Sequence, residues 1–176
     1  MKSSAHLVGD TNLFELLQND ALGVIALHSF TLGYHNVAKR KEHKLDFPKL
    51  EYMFFVLPIV YNYSSLAIFL SSNEVYTALH KEPTIRLGLQ ERAAKMAGQT
   101  FDAMNVAFSK RILGYQKENA TITLLRPFSS NKLILPLSSN SPANSVKKIQ
   151  TCSYKVGNIF AKRNEKNIQQ ELNIVF

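Results

Sequence analysis

The side chains best suited to hold a metal ion or act as a nucleophile are five histidines and one cysteine. His28 and His35 are seven residues apart and can share one face of a helix. A structural zinc site needs four ligands, however, and Cys152 lies far away in the sequence. The simpler interpretation places the two histidines at the edge and end of a helix and makes Cys152 a small core residue. The sequence therefore predicts no metal site and no cofactor.

No phosphate-binding loop or catalytic motif is visible. The seven glycines form no loop that would cradle a phosphate, and neither Gly-Lys-Ser nor Gly-Lys-Thr occurs. Glu42 and Asp46 are the most closely spaced carboxylate pair, but they fall in a polar, solvated segment. Local motifs do not indicate a Ser/His/Asp or Cys/His/Asn arrangement. We therefore expect a non-catalytic chain, and any ATPase activity would belong to a partner.

The positive charge of the chain lies in its last third. Residues 106–176 carry 11 lysines and arginines against three acids, whereas residues 1–105 carry ten of each sign. This asymmetry indicates contact with a polyanion, although a merely solvated surface is the alternative. Few aromatic residues accompany these charges, which favours the backbone of duplex DNA over single strands. The residues predicted to contact DNA are Lys110, Arg111, Arg126, Lys132, Lys147, Lys148, Lys155, Lys162 and Arg163.

The segments before residue 84 must form mostly helices. Residues 1–10 are predicted to be flexible, and residues 11–83 to form a helical N-terminal lobe. Asn19 or Asp20 is a suitable cap for a helix that runs to about Tyr34. This helix contains two glycines at which a neighbour can approach closely, Gly23 and Gly33.

The stretch Tyr52–Asn73 carries no charge and needs to be tested against a membrane-spanning helix. Such a helix requires about 20 predominantly apolar residues. Pro58 interrupts the run, and polar residues follow Tyr61. We expect two buried elements joined at a polar corner, in a cytoplasmic chain with no membrane partner.

Residues 84–137 have the order of a helix-turn-helix followed by a β-hairpin wing. Gly98 is expected to end the first helix, and Thr100 to cap the second. Two runs rich in β-forming residues, Ala120–Phe128 and Lys132–Leu137, then predict the hairpin. The expected fold is therefore mainly α with a small β-hairpin, comprising the N-terminal lobe and a winged-helix-like C-terminal lobe.

The outward polar residues of the second helix bear on whether this unit reads DNA. Asn105, Ser109 and Lys110 can make favourable groove contacts, but the charge of Asp102 would oppose phosphate. Because the winged-helix shape also serves as a protein-docking module, we favour protein docking over sequence-specific reading.

Residues 138–176 are predicted to be a linker, a basic amphipathic helix and an apolar tail. The helix is expected to run from Pro142 to about Arg163, with an apolar stripe of Val146, Ile149, Cys152, Val156 and Ile159. The tail is expected to dock as a strand or against a partner. Its predicted protein-interface residues are Leu172, Ile174, Val175 and Phe176.

Several segments together resemble a known family. They are Asn19–Gly23, Gly33–Tyr34, Phe55–Val60, Leu89–Ala97 with Glu91-Arg92-Ala93, Thr100–Gly114 with the hairpin, and Lys155–Phe160. Over residues 12–175 the chain resembles the middle components that accompany an SMC-like ABC ATPase in three-component bacterial systems. The matching motifs are hydrophobic patterns rather than catalytic signatures.

The resemblance implies an antiphage and anti-plasmid system of the Lamassu type. In it, an SMC-like ATPase senses foreign DNA, a nuclease or other effector does the damage, and the middle component holds the effector on the ATPase. The alternative is a free-standing winged-helix regulator that binds DNA by sequence. An enzyme with an unrecognised site is the third hypothesis.

Overall fold

A computed structural model describes residues 19–42, 45–134 and 143–176. These ranges contain eight α-helices and one two-stranded antiparallel sheet, so the predicted fold class, mainly α with a small hairpin, is confirmed. The predicted flexible residues 1–10 and residues 138–142 of the predicted linker lie outside the described residues. In chain order the elements are α1 (Asp20–Ala38), α2 (Leu50–Val60), α3 (Tyr63–Ser71), α4 (Val75–Lys81), a short 3-10 helix (Pro83–Arg86), α5 (Leu89–Lys95), α6 (Ala97–Ser109), β1 (Leu113–Gln116), β2 (Thr121–Leu124), α7 (Ala143–Lys162) and α8 (Glu165–Leu172).

Helix α1 is the centre of the fold and packs against both α6 and α7. It begins as predicted, since the Asn19 side chain accepts a hydrogen bond from the backbone N–H of Ala21 at 2.9 Å. α1 and α7 run in the same direction, because Gly33 meets Tyr154 while Lys41 Nζ, farther along, donates to the carbonyl of Lys162. The two longest helices of the described chain thus lie side by side.

Helices α2 and α3 are the two elements expected from the uncharged stretch. Helix α2 is apolar on all sides and almost completely buried from Tyr52 to Val60. Asn62 caps α3 by accepting from the backbone N–H of Ser65 at 2.9 Å, which restarts the chain in a new direction. Among the described residues no single helix is long and apolar enough to cross a membrane. The α2–α3 pair meets the length and composition test only as two helices bent by 103°.

The predicted helix-turn-helix differs in detail from the structure. α5 and α6 meet at Met96, with no intervening turn of three or four residues. Gly98 and Thr100 lie in the first turn of α6, so Gly98 does not end α5 and Thr100 is not the cap of α6; the Thr100 hydroxyl donates to the Met96 carbonyl at 3.0 Å. The order helix, helix, hairpin is present, but the connection is tighter than predicted.

The first predicted strand is present in shorter form, but the predicted pairing with the second run was wrong. β2 occupies only Thr121–Leu124, and its partner is the preceding strand, β1, rather than a following one. β1 comes shortly after α6, and Leu113 lies opposite Leu124 in the antiparallel pair. Residues 132–134 of the second predicted strand have no regular structure, and residues 135–137 lie outside the described residues. A run of β-forming residues is not enough for a strand, because its partner is whichever segment the fold brings alongside.

The outer edge of β2 ties the hairpin to the start of α2. The N–H of Leu50 donates to the Ala120 carbonyl at 2.8 Å, and the N–H of Ile122 donates to the Pro48 carbonyl at 2.9 Å. Buried residues from both predicted lobes form one hydrophobic core, including Phe30, Leu57, Met104, Ile122 and Phe160. The helical part and the hairpin part therefore share one core.

The last long helix follows its predicted stripe. Ile149, Cys152, Val156 and Ile159 are buried, and Val146 is partly buried against the core. The tail contains a helix that the sequence pattern does not predict, α8, capped by the Asn164 side chain, which accepts from the Asn167 N–H at 2.8 Å. Ile168 and Leu172, four residues apart, are the buried face of α8.

Candidate nucleic-acid and partner interfaces

Three of the predicted DNA-binding residues, Lys110, Arg111 and Arg126, lie in the segments at the base of the hairpin. α6 ends in a Schellman motif, in which the N–H of Ile112 donates to the Ala107 carbonyl at 2.9 Å and that of Arg111 to the Phe108 carbonyl at 3.0 Å. The N–H of Leu125 donates to the Ile112 carbonyl at 3.2 Å, which continues the register beyond β1 and β2. Arg111 and Arg126 are therefore the residues next beyond the last hydrogen-bonded pair, Ile112 and Leu125.

The side chains at this hairpin base are exposed cations. Lys110, Arg111 and Arg126 are all exposed, and no other described residue forms an ion pair with them. Arg111 takes the left-handed position, with a φ of 54°, that glycine usually occupies at the end of a helix. A residue with a Cβ costs about 1–2 kcal/mol in this conformation. We name Lys110, Arg111 and Arg126 the hairpin-base cluster.

Three further predicted cations are also exposed. Lys147 and Lys148 lie in the first half of α7, and within the described part of the chain neither has an ion-pair partner. Lys132 lies over the Tyr154 ring, with Nζ 4.4 Å from the ring centroid. The ammonium groups of Lys147 and Lys148 can still meet a phosphate, whereas that of Lys132 already has an aromatic partner.

Lys155 and Lys162 have structural contacts that sequence reasoning missed. Lys155 Nζ donates to the carbonyl of Leu70 in α3, and Lys162 Nζ lies 3.5 Å from the Asn73 carbonyl just beyond that helix. Lys81 Nζ donates to Ser71 O at 3.3 Å. The Leu70 and Ser71 carbonyls at the C-terminus of α3 lack intrahelical partners and carry partial negative charge, which the ammonium groups of Lys155 and Lys81 satisfy. Lys155 and Lys162 therefore fasten α7 to the end of α3.

Arg163 joins ion pairs within the chain. Its guanidinium lies 3.3 Å from Glu74 and 3.7 Å from Glu171. It also lines a cavity of about 490 Å³ beside the Lys49–Glu165 ion pair, whose Nζ and Oε2 atoms are 2.5 Å apart. A hydrogen bond from Lys49 to Glu165 is the main reason that the pKa of Lys49 is raised. Lys49 and Arg163, which both line this cavity, thus face carboxylates of the same chain.

The exposed side of α6 agrees with the predicted outward positions. Asp102, Asn105, Ser109 and Lys110 are exposed, and the Ser109 hydroxyl donates to the Val106 carbonyl of the same helix at 2.9 Å. The Asp102 carboxylate therefore stands on the one surface that a groove-reading helix would present to DNA.

The C-terminal tail folds back onto the chain, which changes the predicted protein interface. Leu172 and Ile174 are buried in the core, so they are not available to a partner in this conformation. Phe176 is half-buried, with its ring centroid 4.7 Å from that of Tyr52 and 5.3 Å from that of Phe55. Of the four predicted residues only Val175 is largely exposed, at 73%.

A side-chain amide holds this tail in place. The N–H of Val175 donates to Gln90 Oε1 at 2.9 Å, and Gln90 Nε2 donates to the Val175 carbonyl at 3.3 Å. The amide thus pairs with the tail as a neighbouring strand would. Between the tail, α2 and α5 lies a groove of about 240 Å³, which we name the C-terminal groove. Its lining includes Glu51, Phe54, Ala93, Ala94, Ala97 and Val175.

His28, His35 and Cys152 pack against other residues of the fold. His28 is completely buried, and its Nε2 lies 2.9 Å from the Phe128 carbonyl. Burial lowers its pKa, although that hydrogen bond opposes the effect. It is a core residue, not the helix-edge residue expected from the sequence. Burial also raises the pKa of the Cys152 thiol to about 12, which keeps it protonated and unreactive. His35 stacks on Phe47, with centroids 4.5 Å apart.

Comparison with known proteins agrees with the resemblance found in the sequence. The model of the family described as ABC-three component (ABC-3C) system Middle Component 3 matches residues 9–176. No curated protein and no solved structure gives a significant match. The match includes the helices, the hairpin and the tail that build both surfaces described above. The chain belongs to the family of middle component 3 of ABC-three component systems.

Proposed function

We propose that the chain is a non-catalytic adaptor that links an SMC-like ABC ATPase to an effector nuclease, in an antiphage and anti-plasmid system of the Lamassu type. The observation that carries this proposal is the family match over residues 9–176, because a middle component implies partner components. The proposed setting is the bacterial cytoplasm.

Two surfaces with different chemistry support the adaptor role. The C-terminal groove is apolar and suits a protein partner, whereas the hairpin-base cluster is cationic and suits phosphate. The two surfaces involve different elements, so one partner need not displace the other. We propose that Lys110, Arg111, Arg126, Lys147 and Lys148 add sequence-independent contacts to duplex DNA.

The non-catalytic part of the proposal is supported by the state of the buried titratable groups. The ordinary pKa of a thiol is already above neutrality and burial raises that of Cys152 to about 12, so its thiolate is not available at neutral pH. Burial, followed by the charge of Glu165, raises the pKa of Tyr34 to about 12. Neither group has the shift toward neutrality that a nucleophile or a general base requires.

Co-purification tests the adaptor role. The chain is co-expressed with the ATPase and the effector encoded by its neighbouring genes, with the affinity tag on the ATPase. We expect the effector to co-elute only when the chain is present. Co-elution of ATPase and effector without the chain, or elution of the chain alone, would contradict an adaptor.

A free-standing regulator is the second candidate, and one observation favours it. Asn105, Ser109 and Lys110 form an exposed polar row on α6 beside the hairpin, where a recognition helix would present them to a groove.

A further inference from the structure

We propose that the C-terminal groove receives an apolar segment that carries a lysine or arginine, contributed by the ATPase or the effector subunit. The proposal rests on the adaptor function above and assigns it a place on the molecule. The segment would insert a large apolar side chain into the groove and set its basic side chain against Glu51.

The size and lining of the groove indicate a side chain rather than a cofactor. Its volume of about 240 Å³ is below the roughly 300–1,000 Å³ of pockets that hold drug-sized ligands. Small residues of α5 and α6 (Ala93, Ala94 and Ala97) form one wall and Phe54 forms another. Apolar depressions of this kind receive the anchor residues of amphipathic segments.

The apolar surface continues beyond the groove. Phe101 of α6 packs edge-to-face on Phe54, with ring centroids 4.9 Å apart, yet 51% of it is exposed. Val175, which also lines the groove, is 73% exposed, and the Gln90 amide holds its backbone in place. Contiguous exposed aromatic and aliphatic side chains are typical of a surface that a partner covers.

The charge of the groove selects the partner. Glu51 is the one charged residue among its described lining residues, and within the described chain it forms no ion pair. A partner that buries this carboxylate without a cation would leave its charge uncompensated, which is costly. DNA is unsuitable for the same reason, and a symmetric second copy would bring two Glu51 carboxylates together. A basic residue beside an apolar anchor complements both features.

Two variants test the groove against a matched control. Ala94→Trp fills it from an exposed position on α5, and Glu51→Lys reverses its charge. Ala67→Trp puts the same ring on an exposed alanine of α3, outside the groove. Binding of each variant is measured to the purified ATPase subunit and, separately, to the purified effector subunit. Circular dichroism and thermal melts check that each variant is folded.

We expect Ala94→Trp and Glu51→Lys each to weaken binding to one of the two subunits at least tenfold, and Ala67→Trp to leave it unchanged. If the wild-type chain binds a subunit and both groove variants bind it equally well, the groove is not the docking site, while the adaptor function stands. If the wild-type chain binds neither subunit, both proposals fail. A chain that is dimeric alone and becomes monomeric with Ala94→Trp would assign the groove to a second copy instead.

Discussion

Gly33 and Gly157 are the residues at which α1 and α7 come closest. A Cβ atom at Gly33 would lie 2.1 Å from the Tyr154 carbonyl oxygen, and one at Gly157 would lie 2.1 Å from the Phe30 carbonyl oxygen. Each glycine therefore receives the backbone of the other helix. The obstacle is backbone in both cases, so a rotamer change cannot relieve it.

Alanine at these two positions is expected to destabilise the fold strongly. Gly33→Ala and Gly157→Ala each force the helices apart and should lower the free energy of unfolding by about 3 kcal/mol or more. Gly98→Ala is the matched control, because a Cβ there has no atom within 4 Å. It should raise stability by about 0.5–1 kcal/mol through helix propensity. Urea denaturation of the three variants measures the difference, and equal effects at all three positions would contradict the close helix contact.

For single residues, the sequence indicates which glycines need a close neighbour but not which helix supplies that neighbour. Gly23 and Gly33 are recognisable as close-packing positions within an apolar helix, and the structure confirms both, with Ala103 facing Gly23 and Tyr154 facing Gly33. Which helix comes so close depends on residues far away in the sequence, and a single sequence does not contain that information.

The helices were more predictable than the hairpin, for a physical reason. Helix hydrogen bonds are local, so a cap such as Asn19 and a stripe of buried residues are enough to place α1 and α7. A strand needs a partner. Both Ala120–Phe128 and Lys132–Leu137 are rich in β-forming residues, but the partner of β2, which lies in the first of these runs, is β1 just after α6. Helix α8 does have a local signal, since Asn164 precedes Ile168 and Leu172, but its eight residues are mostly polar and the apolar end of the tail dominates the pattern.

The end of α3 shows why the basic residues could not be sorted from sequence alone. Lys155 and Lys148 are one helical heptad apart on α7 and look equivalent in the sequence. In the structure Lys155 reaches the Leu70 carbonyl, whereas Lys148 is exposed. The difference arises because α3 packs against that part of α7.

Removing the ammonium group of Lys155 is therefore expected to cost stability. Lys155→Met keeps most of the length of the side chain but leaves the Leu70 carbonyl without its donor, which should cost about 1–2 kcal/mol. Lys148→Met, the control, should change stability by less than about 0.5 kcal/mol. Thermal and urea unfolding measure both. If the two substitutions cost the same, the contact between α7 and α3 does not stabilise the fold.

Across the whole molecule, eight of the 11 basic residues in the C-terminal third divide into two sets. Lys155, Lys162 and Arg163 hold helices together, whereas the hairpin-base cluster, Lys147 and Lys148 face solvent. Both sets contribute to the net charge of +8, so long-range attraction to a polyanion acts on the entire chain. Close contact with phosphate requires exposed cations, so we propose the second set for it.

We expect the chain to bind duplex DNA through the hairpin-base cluster without reading its sequence. Changing Lys110, Arg111 and Arg126 together to glutamate should weaken binding and reduce the slope of log affinity against log salt by about 0.9 for each phosphate that the protein no longer neutralises. The control changes three exposed cations elsewhere to glutamate and therefore has the same net charge: Arg40, Arg86 and Lys166. It should weaken binding less, because only the general attraction is reduced, and the slope should remain near that of the wild type.

Unrelated duplexes should bind almost equally, whereas base reading would cost roughly 1–3 kcal/mol for each wrong base pair. Selection from a random duplex pool decides between the two modes, since an enriched motif that disappears in Asn105→Ala would mean that α6 reads bases and that the chain acts as a regulator.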